Sequence, residues 1–495
     1  MNRPSSDTAP SDTAPSNTVL PNTAPPDSVL PITFGQDGEP VTAVMTWGQV
    51  AIWDVLRWLP PEDTSTNLLL SVPAPPGTGV ERAVRAVRLL VERHDSLRTL
   101  FSEAPEGPCQ QVLPGGTLQG WRCPADAAGA EHAAAEAGAR LRATPFAADE
   151  LPVRAAVVTE GPHAALVVLC LSHLAIDGWS LSIVRADLAQ LLADPPQLPP
   201  RAQQPLERAR YEASEPARRG QARALRFWED ALRELPPAMV EDLREGGGSD
   251  RQWSRISSPA LALAAAEHAR RTRLSSSVVL QAATLLLLAL HTGEPSAALR
   301  TIVATRFRPE NQALVGAFNQ NALVRAELRE EPFEAFLRRV GSAAANGYRH
   351  TEYEPRALER LIERVGTERG LRTGGFCFFN DVRFGTGHQP LGSAAPGSAE
   401  ALTAALARTE LSDPQWDFDQ KGSKFFLFLQ ELDAAPEPAG ARAVVTLCAD
   451  RRFLAGRGSS VFLEDLEWLL ARTAYTDTTT GELAAALCGR APVPG

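Results

Sequence analysis

Apolar positions along this chain recur with two periods. In VTAVMTWGQVAIWDVLRWL (41–59), Trp47, Val50, Ile52, Trp53, Leu56 and Leu59 share one side of an expected amphipathic helix. In VERAVRAVRLLVERHDSLRTLF (80–101), Val84, Val87, Leu90 and Val91 do the same. TNLLLSVPAP (66–75) reads as a strand, and PVRAAVVTE (152–160) and HAALVVLCLS (163–172) as paired strands turning at Gly161-Pro162. A helix over 179–194, with Leu181, Val184, Leu188 and Leu191 inward, ends at the prolines from Pro195 to Pro200. A polar, Arg-rich segment, 201–223, makes a natural connection between two lobes. The second half repeats the alternation. Helices are expected at 221–235, 275–292 and 461–474, and strands at 299–307, 374–382, 424–432 and 441–450. Helices and strands mixed in both halves predict an α/β (α+β) protein of two similar lobes, 39–205 and 206–490.

Residues 6–30 carry a five-residue repeat, SDTAP SDTAP SNTVL PNTAP PDSVL. Rich in proline and without aromatics, it buries too little surface to offset its chain entropy, and residues 1–38 are expected to form a disordered tail. The balance of 49 basic against 59 acidic residues, a formal charge of −10, argues against a nucleic-acid surface. Arg218, Arg219, Arg223 and Arg226 read as a solvated helix face. The apolar run VVLQAATLLLLAL (278–290) is too short to span a bilayer. The N-terminus has no basic region leading into an apolar stretch, so a cytoplasmic location is expected. Six scattered cysteines without a C-x-x-C pair fit reduced thiols, and the eight histidines show no metal-ligand spacing.

The sharpest local chemistry lies at LSHLAIDGWS (171–180). A nearly continuous apolar run, Ala164–Leu171, fits a strand buried on both faces. It ends at His173, and Asp177-Gly178 follow with turn chemistry. An imidazole at the end of a buried strand can take or position a proton near neutral pH. It can equally satisfy a local hydrogen bond and do nothing more, and the local pattern alone favours that plainer reading.

The wider sequence weighs on the other side. SHLAIDGWS resembles the H-H-x-x-x-D-G signature of condensation domains of nonribosomal peptide synthetases, within the chloramphenicol acetyltransferase-like superfamily. RHDSLRTLF (93–101) is similar to that family's R-H-x-x-L-R-T-x-F helix end, and TPFAADELPVRAAVV (144–158) to its P-F…P-x-R strand entry. ALRFWEDAL (224–232) resembles its Y-W-x-x-x-L helix, and LSSSVVLQAATLLLLALHTG (274–293) its long second-lobe helix. VATRFRPENQALVGAFNQNALVR (303–325) resembles its R-x-R-P-E…V-G-x-F segment. The motifs keep family order across roughly residues 40–475.

The resemblance implies two acetyltransferase-like lobes in a V-shaped pseudo-dimer with a central tunnel. It implies an acyltransferase that moves an acyl or aminoacyl group from a carrier protein's phosphopantetheine thioester to an amine or hydroxyl. The nucleophile is a small molecule or is itself held on a second carrier. The phosphopantetheine arm would come with the carrier, and no cofactor or metal of the protein's own is expected. His173 takes the place of the second family histidine, which binds or deprotonates the nucleophile. Asp177 takes the place of the structural aspartate that pairs with an arginine, with Arg93 the first candidate partner, Arg154 the second and Arg98 supporting. Gly178 is a candidate oxyanion donor and Trp179 flanks it. Asn319, Asn321 and Tyr353 are candidate channel residues.

Two positions depart from the pattern. Ser172 stands where the family has its first histidine, and HTEYEPR (350–356) is a variant of H-x-x-x-x-P-F-E. With no adenylation-type phosphate loop and no G-G-x-S carrier site in the sequence, a free-standing enzyme using a carrier in trans is expected. A catalytically silent recruitment module and an acyl-CoA-dependent acyltransferase are the alternatives.

Overall fold

The computed structural model describes residues 28–489 apart from 106, 127–128, 148, 244–249, 384–397, 415–422 and 434–440. Two sheets of unequal size carry separate hydrophobic clusters. The first has five strands, in the order Ser28–Gly35, Gly115–Pro124, Val153–Glu160, His163–Ser172, Asn67–Pro73. All neighbours are antiparallel except Gly115–Pro124 with Val153–Glu160. Its two faces can be told apart by parity along His163–Ser172. Leu169 and Leu171 pack with Val87, Leu90, Val184 and Leu188, from the helices Val80–Arg93 and Gly178–Leu192. Val168 and Cys170 pack with Ala134 and Ala137 of the helix Ala130–Arg142. The hairpin Val153–Ser172 thus lies buried on both sides, as its unbroken apolar run requires.

The second sheet has seven strands among the described residues. Its order is Asn319–Glu327, Ser296–Ala304, Phe376–Asp381, Ser423–Asp433, Arg442–Asp450, Arg251–Ser258, Glu410–Ser412. The apolar helix Ser276–Thr292, capped by Ser275 and ended by Gly293 at φ 69°, is buried along almost its whole length in this core. No single described helix is long and apolar enough to cross a membrane. A small third sheet joins Val41–Val44, Gly107–Val112 and Thr99–Ala104.

Several boundaries differ from the expectations. Of the tail expected over 1–38, residues 1–27 lie outside the described residues. Ser28–Gly35 is a strand of the first sheet. Ile32 and Phe34, two apart, are 1% and 2% exposed there, so a period-two pattern within polar, proline-rich company is what makes this strand. The helix expected from residue 41 begins at Trp47, because Thr46 and Gln49 close a capping box and Val41–Val44 is strand. The connecting segment is helical, as Pro205–Glu212 and Glu215–Glu234. Pro259–Thr272, Phe333–Tyr348 and Pro355–Glu368 are further helices, not expected from the sequence.

One segment leaves the second lobe's core. Between the adjacent strands Ser296–Ala304 and Asn319–Glu327 the chain runs out to the first lobe. Val315 joins the Leu90–Val184 cluster there, and Ala317 joins a cluster with Met45, Ile52, Leu174 and Ala175. This crossover segment, 305–318, meets the loop that follows His163–Ser172.

Candidate active site

The loop 173–177 leaves the most buried strand of the first sheet and enters the helix Gly178–Leu192. His173 donates its backbone N–H to the Thr66 carbonyl at 3.1 Å, and Ala175 closes the turn onto Ser172 O at 2.9 Å. The His173 ring is half-buried. Its Nδ1 is buried without a hydrogen-bond partner among the described residues. Ser172, 6% exposed, shares the strand face of Val168 and Cys170, turned toward Ala130–Arg142.

Asp177 is the N-cap of Gly178–Leu192 and is 2% exposed. Its Oδ1 accepts the Ser180 N–H at 2.9 Å, a standard capping bond. The arginine that meets it is Arg306, from the crossover segment. Nη1 donates to Oδ2 at 2.7 Å and Nη2 to Oδ1 at 3.0 Å, a bidentate fork. The Phe318 amide donates to Oδ2 at 2.9 Å. Arg306 Nη2 also donates to Ser180 Oγ at 2.7 Å, and Ser180 Oγ donates to Gly316 O at 2.9 Å. The Asp177 amide donates to Gly316 O at 3.1 Å. Burial alone would raise the Asp177 carboxyl. The Arg306 guanidinium and the Ser180 and Phe318 amides outweigh it and hold the carboxyl below its ordinary value. One carboxylate therefore fixes a first-lobe loop to a second-lobe segment.

The partners expected from the sequence are engaged elsewhere. Arg93 Nε donates to Asp187 at 2.7 Å and Nη2 to the Pro199 carbonyl at 2.9 Å, fastening its helix to Gly178–Leu192 and to the proline segment. Arg154 is held by Glu150 at 2.8 Å and by the carbonyls of Leu141, Thr144 and Pro145, with Phe146 under its guanidinium at 4.0 Å. Arg98 pairs with Asp95 and the Leu113 carbonyl. All three brace the first lobe. The distinction is one of placement: each lies within its own lobe, whereas Asp177 opens on the joint.

Around the loop, Gly178 is half-buried and starts the helix, where first-turn N–H groups lack intrahelical partners. Trp179, 37% exposed, donates Nε1–H to Gln312 O at 3.0 Å, a second tie to the crossover segment. Asn319 and Asn321 share one face of their strand and are half-buried, and the Asn319 Oδ1 is buried without a partner among the described residues. Tyr353 lies in the core of the second lobe. It is 1% exposed, packs edge-on to Trp228 and donates its hydroxyl to Asn321 O at 2.6 Å. Its neighbour Arg356 binds Asp54 bidentately at 2.7 and 2.9 Å. Neither Arg306 nor Ser180 is among the site residues expected from the sequence. The available signal for Arg306 was its place as the first arginine of TRFRPE (305–310), in a segment already matched to the family.

The condensation-domain family model matches residues 52–373. The chain belongs to the condensation-domain family. Among curated relatives, a linear gramicidin synthase of Brevibacillus parabrevis is 26% identical over 353 residues, covering 66% of this chain and 4% of that protein. The AMB antimetabolite synthetase AmbB of Pseudomonas aeruginosa is 31% identical over 347 residues, 67% of this chain and 27% of that protein. The chain therefore spans a small part of the length of these relatives. Among solved structures, the condensation domain of chain release from the enacyloxin polyketide synthase superposes with TM-score 0.65 at 21% identity, over 90% of this chain and 86% of that one. SgcC5 of Streptomyces globisporus gives 0.61 at 18% identity, over 88% and 99%. The mixed α/β, chloramphenicol acetyltransferase-like fold of condensation domains is the fold of this chain. Its family forms amide and ester bonds.

Proposed function

We propose that this condensation domain transfers an acyl or aminoacyl group from a carrier-protein phosphopantetheine thioester to an amine or hydroxyl, in the cytoplasm and with the carrier as a separate protein. The observation that carries the reading is the setting of His173. It stands half-buried at the end of a buried strand, in a loop that Asp177 and Arg306 pin from both lobes. In the proposed reaction the nucleophile attacks the thioester carbonyl as its proton passes to or is oriented by His173 Nε2. The tetrahedral oxyanion forms against the Gly178 N–H at the helix start, where the dipole favours negative charge. The C–S bond then breaks and the carrier thiol leaves with the proton. No covalent enzyme intermediate is required. Asp177 and Arg306 act by position.

The test supplies a carrier protein loaded with an acyl-phosphopantetheine and a panel of amines and alcohols, with acyl-CoA as a parallel donor. Product is read by mass spectrometry. Replacing His173 by Ala is expected to slow transfer by about 10²–10⁴-fold, the usual worth of a positioned general base. Equal product from His173→Ala and wild type would remove the role. Carrier binding without product across the panel would favour the recruitment reading, to which Ser172 at the first motif position lends weight, and transfer from acyl-CoA alone would replace the donor.

A further inference from the structure

A second buried carboxylate lies at the joint between the lobes, away from Asp177. Glu212 ends the helix Pro205–Glu212, and its side chain is 5% exposed. Oε2 accepts the backbone N–H of Trp47 at 2.7 Å, and Oε1 accepts Arg208 Nε at 2.8 Å. Trp47 is the first residue of its helix, so this N–H is one that the helix itself leaves unpaired. Beyond Arg208, at 3.8 Å from its Nη1, lies Glu352, which also holds Arg308 at 3.2 Å. The Tyr211 ring takes the Arg208 and Arg308 guanidinium groups at 4.9 and 4.7 Å. Glu352 also reaches Gly220 of Glu215–Glu234, where a Cβ would lie 3.5 Å from its Oε2. One further carboxylate, two arginines and a phenol thus cluster around Glu212.

The helix that Glu212 holds is pressed on the crossover segment. A Cβ on Gly48 would meet Ala317 O at 2.2 Å and Phe318 Cα at 2.7 Å, so these backbones are in direct contact. Phe318 donates its amide to Asp177, in the loop of His173. A continuous series of contacts therefore runs from Glu212 through Trp47, Gly48 and Phe318 to Asp177.

We infer that Glu212 is a positioning residue whose protonation state sets how firmly the Trp47–Leu56 helix seats on the crossover segment that holds the His173 loop. Burial is the largest influence on its carboxyl, and with the nearby Glu352 it prevails over Arg208 and the Trp47 amide, raising the group to about 7. Opening the joint returns the carboxyl to water and to its ordinary value of 4.5. The closed joint binds the proton more tightly, so it is firmest in acid. It loosens as pH rises between these two values and changes little above the higher one.

Hydrogen exchange of the free protein tests this without carrier or donor, so its outcome is independent of the proposed reaction. After correction for intrinsic exchange, protection of the Trp47 and Phe318 amides should fall about twentyfold between about pH 5.5 and about pH 7.5. Glu212→Gln keeps an acceptor for Trp47 but cannot titrate, and its profile should be flat. Glu352→Gln should keep the step and move its midpoint to lower pH. A flat wild-type profile, or an unchanged step in Glu212→Gln, would overturn the inference.

Discussion

At the residue scale, the site depends on a bidentate ion pair that is almost wholly buried. The Asp177 and Arg306 side chains are 3% and 2% exposed, so removing one charge strands the other without solvent. Asp177→Asn is expected to cost about 3–5 kcal/mol of unfolding free energy near neutral pH, measured by urea titration. The folded carboxyl lies below its ordinary 3.8, so native Asp177 stabilises above that range. The difference between wild type and Asp177→Asn should persist down to about pH 4 and shrink as acid protonates the wild-type carboxyl. The family resemblance implied that Asp177 pairs with an arginine. It could not show which, because residues 177 and 306 meet only through the fold, while Arg93 and Arg154 lay nearer in sequence. The same limit hid Tyr353, whose motif position drew it toward the site and whose packing on Trp228 puts it in the core.

Among elements, legibility followed how strongly local sequence decided the ends. The helix expected at 275–292 is found at Ser276–Thr292, because Ser275 caps it and Gly293 ends it with a left-handed residue. The hairpin Val153–Ser172 was readable from its two apolar runs and the turn between them. Pro259–Thr272 was not: its alanine-rich stretch has no sharp apolar stripe, and its burial comes from the sheet and helices that surround it. The strand Ser28–Gly35 was masked by the composition on its N-terminal side. Close packing between elements yields a further prediction. Gly→Ala inside an exposed helix gains stability, but at Gly48 the new methyl meets backbone atoms of Ala317 and Phe318 that cannot turn aside. Gly48→Ala should therefore lose about 1–3 kcal/mol in urea unfolding. An unchanged or raised stability would show that the helix and crossover segment are less closely seated.

For the whole molecule, the two lobes have separate cores, yet the His173 loop is held by both. His173 follows a strand of the first sheet, while Arg306 and the Phe318 amide, which bind Asp177 beside its own helix cap, come from the crossover segment of the second lobe. This arrangement lets lobe position act on the loop through backbone contacts and one guanidinium fork. The family and the two-lobed plan were legible from motif order. The shared ownership of the loop was not, since it is a property of how the lobes meet. The most direct measurement is single-turnover acyl transfer from a loaded carrier by Arg306→Lys, on protein that retains its wild-type circular dichroism. Lysine keeps the charge beside Asp177 but loses the two-pronged geometry that ties the loop to the second lobe. The chemical step should slow by about 10²-fold, as expected when a reacting group is misplaced by roughly 1 Å, with the acceptor KM little changed. Transfer at the wild-type rate would contradict the positioning role of the fork.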